Sequence, residues 1–316
     1  MQISLSLTLF LIMISIFGCK QDEKDVYLFS YFKDNGQDGL HLAYSYDGLK
    51  WASLNNDKSY LTPQVGNDKL MRDPCIIRDS EGIFHMVWTV SWRDKGIGYS
   101  SSKDLLHWSE QKFIPVMEHE ADAKNCWAPE IFYDDVKQQY LIFWATTIPG
   151  RFPETDYQDN KGIEGQGYNH RMYYVTTKDF NNFSETKIFY DHGFNVIDAT
   201  LIKVGSEYLM FLKDETNLPF TPQKNIKIAK SKFAVGPYSK ASAAITGDYW
   251  AEGPTLVNIK GSWHLYFDKY TLGKYGLLVS KDLVNWTDLS DSLNYPSGLR
   301  HGTVFKVPES ILTNLL

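Results

Sequence analysis

A seven-residue turn recurs along this chain and constrains its fold more than any other feature. Each copy begins with Ser or Thr, has Asp at its third position and ends in an aromatic residue. The four copies are 45–51, 102–108, 177–183 and 280–286, with a weaker fifth at 231–238. Their final aromatic residues lie 57, 75, 55 and 48 residues apart. Repetition at about 40 to 50 residues is typical of propeller blades, so the turns predict a β-propeller.

Short runs of aromatic and branched residues between the turns predict strands. They are 26–32, 82–88, 140–144, 208–212 and 263–267. Because no stretch after residue 25 shows sustained helical periodicity, we predict an all-β fold, a five-bladed propeller over residues 26–316. Four units are complete in sequence, and the fifth is split between 26–51 and 301–307. A blade built from both ends of the chain closes the ring and removes exposed sheet edges.

A polar head precedes four of the predicted inner strands. The heads are Arg72-Asp-Pro-Cys, Trp127-Ala-Pro-Glu, Ile197-Asp-Ala-Thr and Glu252-Gly-Pro-Thr. Inner strands converge on one axis, so we expect Asp73, Asp198 and Glu252 at equivalent positions around one depression, with Glu130 deeper in the channel. Single aspartates are usually turn or strand caps, but grouped carboxylates raise one another's pKa. A protonated carboxyl beside an ionised one is what glycoside hydrolysis requires.

These heads, followed by Arg300-His-Gly-Thr-Val, occur in the order seen in glycoside hydrolase family 43, which the chain resembles over residues 26–316. The resemblance implies a five-bladed propeller that acts with inversion on arabinofuranosides, xylosides and some galactosides. It implies that Asp73 is the general base, Asp198 orients the acid and tunes its pKa, and Glu252 is the general acid.

The same resemblance implies the substrate-binding residues. Trp127 is expected to form a wall on which a sugar face stacks. Arg300 and His301 match the position in the last blade where the family places a substrate-binding Arg, or a His associated with a central calcium or water cluster. No cofactor is required, although a structural calcium held by His301 through water is one expectation. Ala199 stands where the family's motif more often has proline.

We therefore predict an enzyme that removes α-L-arabinofuranosyl or β-xylosyl residues from plant-type polysaccharides or oligosaccharides. Two alternatives to this function remain. The Arg72-Asp-Pro motif is also similar to that of fructan-cleaving propellers, but their Asn-Asp-Pro-Asn and Glu-Cys motifs are missing from this sequence. A non-catalytic glycan-binding propeller would bind sugars without turnover. The net charge of −6 argues against a nucleic-acid partner, and we expect a monomer.

The first 25 residues differ in character from the rest of the chain. Residues 4–17 are almost wholly apolar or Ser/Thr, too short a run to span a bilayer, and indicate a signal peptide over 1–18. The segment Ile-Phe-Gly-Cys at 16–19 resembles a bacterial lipobox, which predicts lipidation at Cys19 and a tether over 19–25. We therefore expect an exported lipoprotein, in the periplasm or at the cell surface, that contacts the membrane only through its lipid anchor. Ordinary secretion is the alternative.

Two further features stay open at this stage. In an oxidising compartment Cys75 and Cys126 could pair, or both could be buried free thiols. The Gly-rich segment 149–170 accounts for the longest interval between turns and is either a wall or lid beside the site or a surface loop.

Overall fold

Five antiparallel sheets arranged as blades make up the structure, a computed structural model that describes residues 24–156 and 167–316. The predicted signal peptide and Cys19 lie outside the described residues. The strands are β1 Asp25–Phe32, β2 His41–Ser45, β3 Ala52–Ser53, β4 Arg72–Arg78, β5 Phe84–Thr89, β6 Ile97–Ser102, β7 Lys112–Ile114, β8 Trp127–Asp134, β9 Gln139–Thr147, β10 His170–Thr177, β11 Lys187–Tyr190, β12 Val196–Val204, β13 Glu207–Asp214, β14 Asn225–Ser231, β15 Glu252–Ile259, β16 Ser262–Lys269, β17 Lys274–Ser280, β18 Thr287–Asp288 and β19 Arg300–Pro308. The predicted five-bladed β-propeller is confirmed.

From the axis outwards, blade 1 is β4 to β7, blade 2 is β8 to β11, blade 3 is β12 to β14 and blade 4 is β15 to β18. Blade 5 has the order β19, β1, β2, β3, so strands from both ends of the chain close the ring as predicted. The pairing of β19 with β1 runs from Asp25 opposite Pro308 to Phe32 opposite Arg300. Such a closure leaves no open edge between the first and last blades.

The hydrophobic core lies between neighbouring blades. Met86 and Trp88 of blade 1, for example, pack in one buried cluster with Leu28 of blade 5. A short helix, α1 (Glu309–Leu315), adds Leu312 and Leu315 to this cluster. Short 3₁₀ turns occupy Asn55–Asp57, Pro153–Thr155, Tyr270–Leu272 and Ser290–Ser292. Within the described parts of the chain, no helix is long and apolar enough to cross a membrane.

The recurring turns connect the third strand of a blade to the segment that follows it, and their side chains hold the turn together. Asp104 Oδ1 accepts hydrogen bonds from the backbone N–H groups of Leu106 at 2.9 Å and His107 at 2.7 Å. Asp47 and Asp282 repeat this pattern at 2.8–2.9 Å. An aspartate that caps backbone donors in this way makes the turn a local property, which is why it repeats in the sequence.

Candidate active site

Each inner strand begins with an irregularity that aims its first residues at the axis. In blade 1, Arg72 pairs with Thr89, and regular pairing resumes only at Cys75 opposite Val87. The same slip occurs at the start of β8, β12, β15 and β19. Extra residues of this kind bend a strand and redirect side chains.

The register assigns two rings of residues to the mouth of the axial channel. The first ring is Arg72, Trp127, Ile197, Glu252 and Arg300, and the second is Asp73, Ala128, Asp198, Gly253 and His301. The expectation that Glu252 is equivalent to Asp73 and Asp198 is therefore wrong, because Glu252 lies one position earlier. The reason is the order of residues in the strand head, since Glu-Gly-Pro of blade 4 pairs in the same frame as Arg-Asp-Pro of blade 1, with Glu252 in the place of Arg72 and Gly253 in the place of Asp73.

Residues of the second ring adopt a left-handed backbone in four of the five blades. The φ angles are 52° at Asp73, 45° at Ala128, 49° at Asp198 and 60° at Gly253. Asp tolerates this conformation better than most residues. At Gly253 no side chain fits in any case, since a Cβ there would lie 2.4 Å from Cγ of His301.

His301 links the two aspartates of the second ring. Its Nδ1 lies 3.3 Å from Oδ1 of Asp73 and 4.0 Å from Oδ2 of Asp198. The hydroxyl of Thr89 donates to Oδ2 of Asp73 at 2.8 Å, and the backbone N–H of Gly253 donates to Oδ2 of Asp198 at 3.0 Å. Asp198 and His301 are buried, and the side chain of Asp73 is 12% exposed. The contacts join blades 1, 3, 4 and 5 at one point on the axis.

This arrangement gives the two aspartates opposite electrostatic character. Burial alone would raise the pKa of the Asp73 carboxyl, but the hydrogen bond and charge of His301 outweigh it and lower the pKa to about 2. Burial raises the pKa of Asp198 to about 6, with His301 and Lys213 offsetting only part of the increase. Burial disfavours a charged His301, yet Asp73 and Asp198 raise its pKa to about 9. At neutral pH the centre is therefore an Asp73 carboxylate beside an imidazolium.

Glu252 is held between two cations. Lys213 Nζ lies 2.9 Å from Oε2, and Nη2 of Arg300 lies 3.3 Å from Oε1. Burial would raise the pKa of Glu252, but the positive charges of Lys213 and Arg300 lower it below its ordinary value. Both oxygens accept hydrogen bonds from charged donors, so the carboxyl is ionised in the free site.

The cations that hold Glu252 are themselves fixed by further carboxylates. Arg300 Nε donates to Oδ2 of Asp268 at 2.5 Å. Lys213 Nζ lies 2.6 Å from Oε2 of Glu215, whose other oxygen accepts from Lys224. Buried charges require such partners, because an unpaired one would pay its full desolvation cost. The result is a fixed chain of alternating charges around Glu252.

Glu130 lies deeper along the channel than the second ring, as the period of the strand predicts. Its Oε2 accepts a hydrogen bond of 3.0 Å from the hydroxyl of Thr200 in blade 3. Burial raises its pKa to about 7, although the positive charge of His301 offsets part of the increase. Glu130 thus links neighbouring blades below the site and carries a proton for part of the time near neutral pH.

An aromatic wall lines blade 2, where Trp127 was expected to stack on a sugar. Its ring lies 5.5 Å from Trp92, 4.6 Å from Tyr168 and 5.0 Å from His170. The indole N–H donates to the carbonyl of Trp92 at 3.1 Å. Trp127 is half-buried and held from several sides. Tyr168 and His170 belong to the predicted loop 149–170, of which residues 157–166 lie outside the description.

Calcium near His301 was one expectation from the sequence. Among the described residues, no group of three or more His, Cys, Asp or Glu side chains is arranged to hold a metal. Calcium at this position stays a sequence-based expectation, and no step below depends on it.

The structure shows Cys75 and Cys126 as buried free thiols. Cys75 Sγ accepts a hydrogen bond of 3.4 Å from the N–H of Ile131 in the neighbouring blade. Burial raises the pKa of the Cys75 thiol well above its ordinary value. Both side chains therefore serve packing in this structure.

Sequence reasoning missed the charged residues contributed by the second strands. Lys213 and Asp268 lie at or next to the ends of β13 and β16, opposite the first ring, as does the uncharged Thr89 in β5. The sequence does show a charged residue directly after each of two apolar runs, Lys213 after Leu209–Leu212 and Asp268 after Leu265–Phe267. This pattern points to the site only once the strand pairing is known.

The fold and the site together define a class of protein, a five-bladed propeller with buried carboxylates of unlike protonation around its axial mouth. Residues 22–310 match the model of a family related to glycoside hydrolase family 43, described as a probable glycosyl hydrolase domain. The chain belongs to this family, and the family prediction is confirmed.

Individual relatives are more distant. An α-L-arabinofuranosidase from Bifidobacterium longum subsp. longum is 25% identical over 216 residues, which cover 62% of this chain and 20% of that protein. The chain thus matches about a fifth of the length of this relative. A thermostable family-43 glycoside hydrolase has a TM-score of 0.52 at 14% identity, covering 69% of this chain and 71% of the other. An α-L-arabinofuranosidase from Lactobacillus brevis has a TM-score of 0.50 at 18% identity, with 70% and 72% covered. These structures share the propeller fold.

Proposed function

We propose that this protein is an inverting glycoside hydrolase that removes α-L-arabinofuranosyl or β-xylosyl residues from plant-type polysaccharides or oligosaccharides. The observation that carries the proposal is the arrangement of three carboxyl groups at the axial mouth, where Asp73 and Asp198 lie 3.3 and 4.0 Å from His301 and Glu252 lies in the ring above them. Glycoside hydrolysis needs such a group, in which one carboxyl acts as the base and another as the acid. Family membership and the activity named for the Bifidobacterium relative support the substrate class.

Asp73 has the properties of the general base. The charge of His301 and the hydroxyl of Thr89 keep its carboxylate ionised in spite of burial, so it can accept a proton from an attacking water. Asp198 acts on Glu252 through the backbone, because it accepts the N–H of Gly253, the next residue along the chain. It therefore orients the head of blade 4.

Glu252 is assigned as the general acid, and the structure adds a condition to this role. In the free site Lys213 and Arg300 hold it ionised, and an ionised carboxylate has no proton to give. We therefore place its proton uptake after substrate binding, when the leaving group displaces one of these contacts. The pKa that governs kcat should then exceed the one that governs kcat/KM, since the two report the bound and the free enzyme.

Turnover of nitrophenyl pentosides and of arabinan and xylan oligosaccharides tests the proposal. We expect Asp73→Asn to lower kcat on all of these substrates and Glu252→Gln to lower it on the oligosaccharides, by roughly 100-fold or more, the usual contribution of general acid–base catalysis. Nitrophenyl pentosides should depend less on Glu252, because nitrophenolate leaves without being protonated. Glu185→Gln, at an exposed glutamate of blade 2, is the matched control and should be fully active. Unchanged turnover of the oligosaccharides by Glu252→Gln would exclude it as the acid. NMR of the first-formed sugar should show inverted configuration, and retention would reject Asp73 as the base.

One observation favours a second candidate function, glycan binding without catalysis. The two cations on Glu252 would suit a fixed binding carboxylate as well as an acid. This alternative predicts measurable affinity for oligosaccharides and no release of sugar from any of them. The same substrate panel, measured by calorimetry as well as turnover, separates the two.

We also propose that the protein is exported and anchored by lipidation of Cys19, with no other contact to the membrane. The support is the apolar run 4–17 and the Gly-Cys sequence that follows it. Cys19→Ser should release the protein into the soluble fraction after cell lysis and abolish incorporation of labelled palmitate. Labelling that persists in this variant would refute the anchor.

A further inference from the structure

Two exposed tryptophans lie at the end of the propeller that carries the carboxylates. Trp92 is 40% exposed and Trp250 is 39% exposed. Trp92 follows β5, whose final residue Thr89 pairs with Arg72, and Trp250 precedes Glu252, which pairs with Asp268. Both indoles therefore belong to the rim of the axial mouth. Each therefore presents a flat apolar surface beside the carboxylates, which is the kind of surface on which a sugar ring stacks.

Trp250 is mounted on a rigid base. Its ring lies 5.9 Å from that of Tyr270, and Lys224 Nζ lies 5.5 Å from its centre. Lys224 is fixed in turn by an ion pair with Glu215, and its carbonyl accepts the N–H of Ala251 at 2.9 Å. The indole is thus supported from within and presents its remaining surface to solvent. Pre-organised aromatic surfaces bind with little loss of conformational entropy.

A continuous layer of side chains connects Trp250 to Glu252. The ring of Tyr270 lies 5.9 Å from that of Trp250 and 4.7 Å from Lys213 Nζ. Lys213 in turn binds Oε2 of Glu252 at 2.9 Å. Trp250 and Tyr270 therefore lie on the side of the site that carries Glu252, the proposed acid.

The order of the blades shows how the Glu252 side of the site relates to the proposed base, Asp73. Blade 4 carries Glu252 and is not a neighbour of blade 1, which carries Asp73, so the two residues face each other across the axis. In an inverting displacement, water attacks from the side of the base and the leaving group departs on the side of the acid. A sugar that remains after cleavage would accordingly lie over blade 4.

We propose that Trp250, supported by Tyr270, forms the leaving-group subsite and stacks on a neutral pyranose ring of the glycan that bears the released pentose. The inference rests on the proposed function and adds the binding mode of its second sugar. A pyranose offers a face of C–H groups that packs on a flat indole, and the nearby cations are already neutralised by Glu215 and Glu252. The surface therefore suits a neutral sugar.

A matched pair of substrates tests the subsite. Methyl α-L-arabinofuranoside and methyl β-xyloside need the acid but do not reach Trp250, whereas arabinoxylan and xylan oligosaccharides need both. We expect Trp250→Ala to lower kcat/KM for the oligosaccharides by roughly 10-fold or more, the effect of losing one stacked ring, and to leave the methyl glycosides unchanged. Trp250→Phe should retain most of the activity. Phe233→Ala, at an aromatic residue 63% exposed beyond the opposite end of β14, is the control and should match the wild type.

Two kinetic outcomes would overturn the inference. An equal loss on both kinds of substrate would mean that Trp250 acts only through the position of Glu252. No loss on either would mean that it contacts no substrate.

A binding measurement separates failure of the inference from failure of the proposed function. Calorimetry with Glu252→Gln and with the double variant Trp250→Ala/Glu252→Gln reports affinity for the same oligosaccharides without turnover. If the wild type releases no pentose, the proposed function fails, and weaker binding by the double variant would then show that Trp250 contacts the glycan in a protein that binds without cleaving. Equal affinity of the two variants, or no binding by either, would overturn the inference.

Discussion

His301 offers the sharpest test of the electrostatics at the axis. Its buried imidazole lies 3.3 Å from the carboxylate of Asp73, and this pair joins blades 5 and 1. Replacing it by Gln keeps a polar side chain of similar size but removes the positive charge. Asp73 then loses the partner that outweighs its burial, so the unfolding free energy should fall and acquire a different pH dependence.

The pKa of His301 sets the magnitude and the sign of this effect. The difference between about 9 in the folded protein and the ordinary 6.5 corresponds to about 3 kcal/mol of stability. Because the folded pKa is raised, this stabilisation is fully present below pH 6.5. It declines as pH rises from 6.5 to 9 and is lost above about 9. The lowered pKa of Asp73 reflects the same pair and adds no second contribution in this range.

Urea denaturation of the wild type and of His301→Gln between pH 6 and pH 10 measures the effect. The advantage of the wild type should shrink by about 3 kcal/mol across this interval. His107→Gln is the matched control, since His107 pairs with Asp104 on the exposed perimeter and its loss should leave the curve unchanged. Parallel curves for the wild type and His301→Gln would refute the proposed charge state of His301.

Three further predictions follow from the site and its surroundings. Lys213→Met removes one of the two cations on Glu252, so it should raise the pKa of Glu252 and move the alkaline limb of the pH–activity profile to higher pH. Lys213→Arg should retain the wild-type profile, and an unmoved limb in Lys213→Met would contradict the contact. Asp198→Asn should increase the unfolding free energy at pH 8, where burying the charge of Asp198 is unfavourable, while kcat decreases; destabilisation at that pH would contradict its raised pKa. Dithiothreitol should leave the melting temperature unchanged, because Cys75 and Cys126 are free, and a decrease would indicate a disulfide.

Much of the fold is readable from the sequence because its signals are local. Asp104 and its counterparts hold backbone donors two and three residues away, so the same residues must recur in each blade. The split blade is also visible, since the inner-strand motif at Arg300 is unpaired within its own stretch of sequence. The helix over Glu309–Leu315 was not expected. It is too short for a periodic pattern and is stabilised by packing of Leu312 and Leu315 against blades 1 and 5.

The sequence by itself also determined which carboxyl groups reach the axis, because the strand heads Asp73, Asp198 and Glu252 follow the blade repeat. Only the tertiary structure decided their charge states and their exact register. The strand pairing places Glu252 in the first ring, one position before the ring of the aspartates, and Lys213 reaches it from another blade. Protonation depends on burial and on charges within a few ångströms. These neighbours come from different blades, Lys213 from blade 3 and Arg300 from blade 5, so no local pattern records that Glu252 is ionised in the free site.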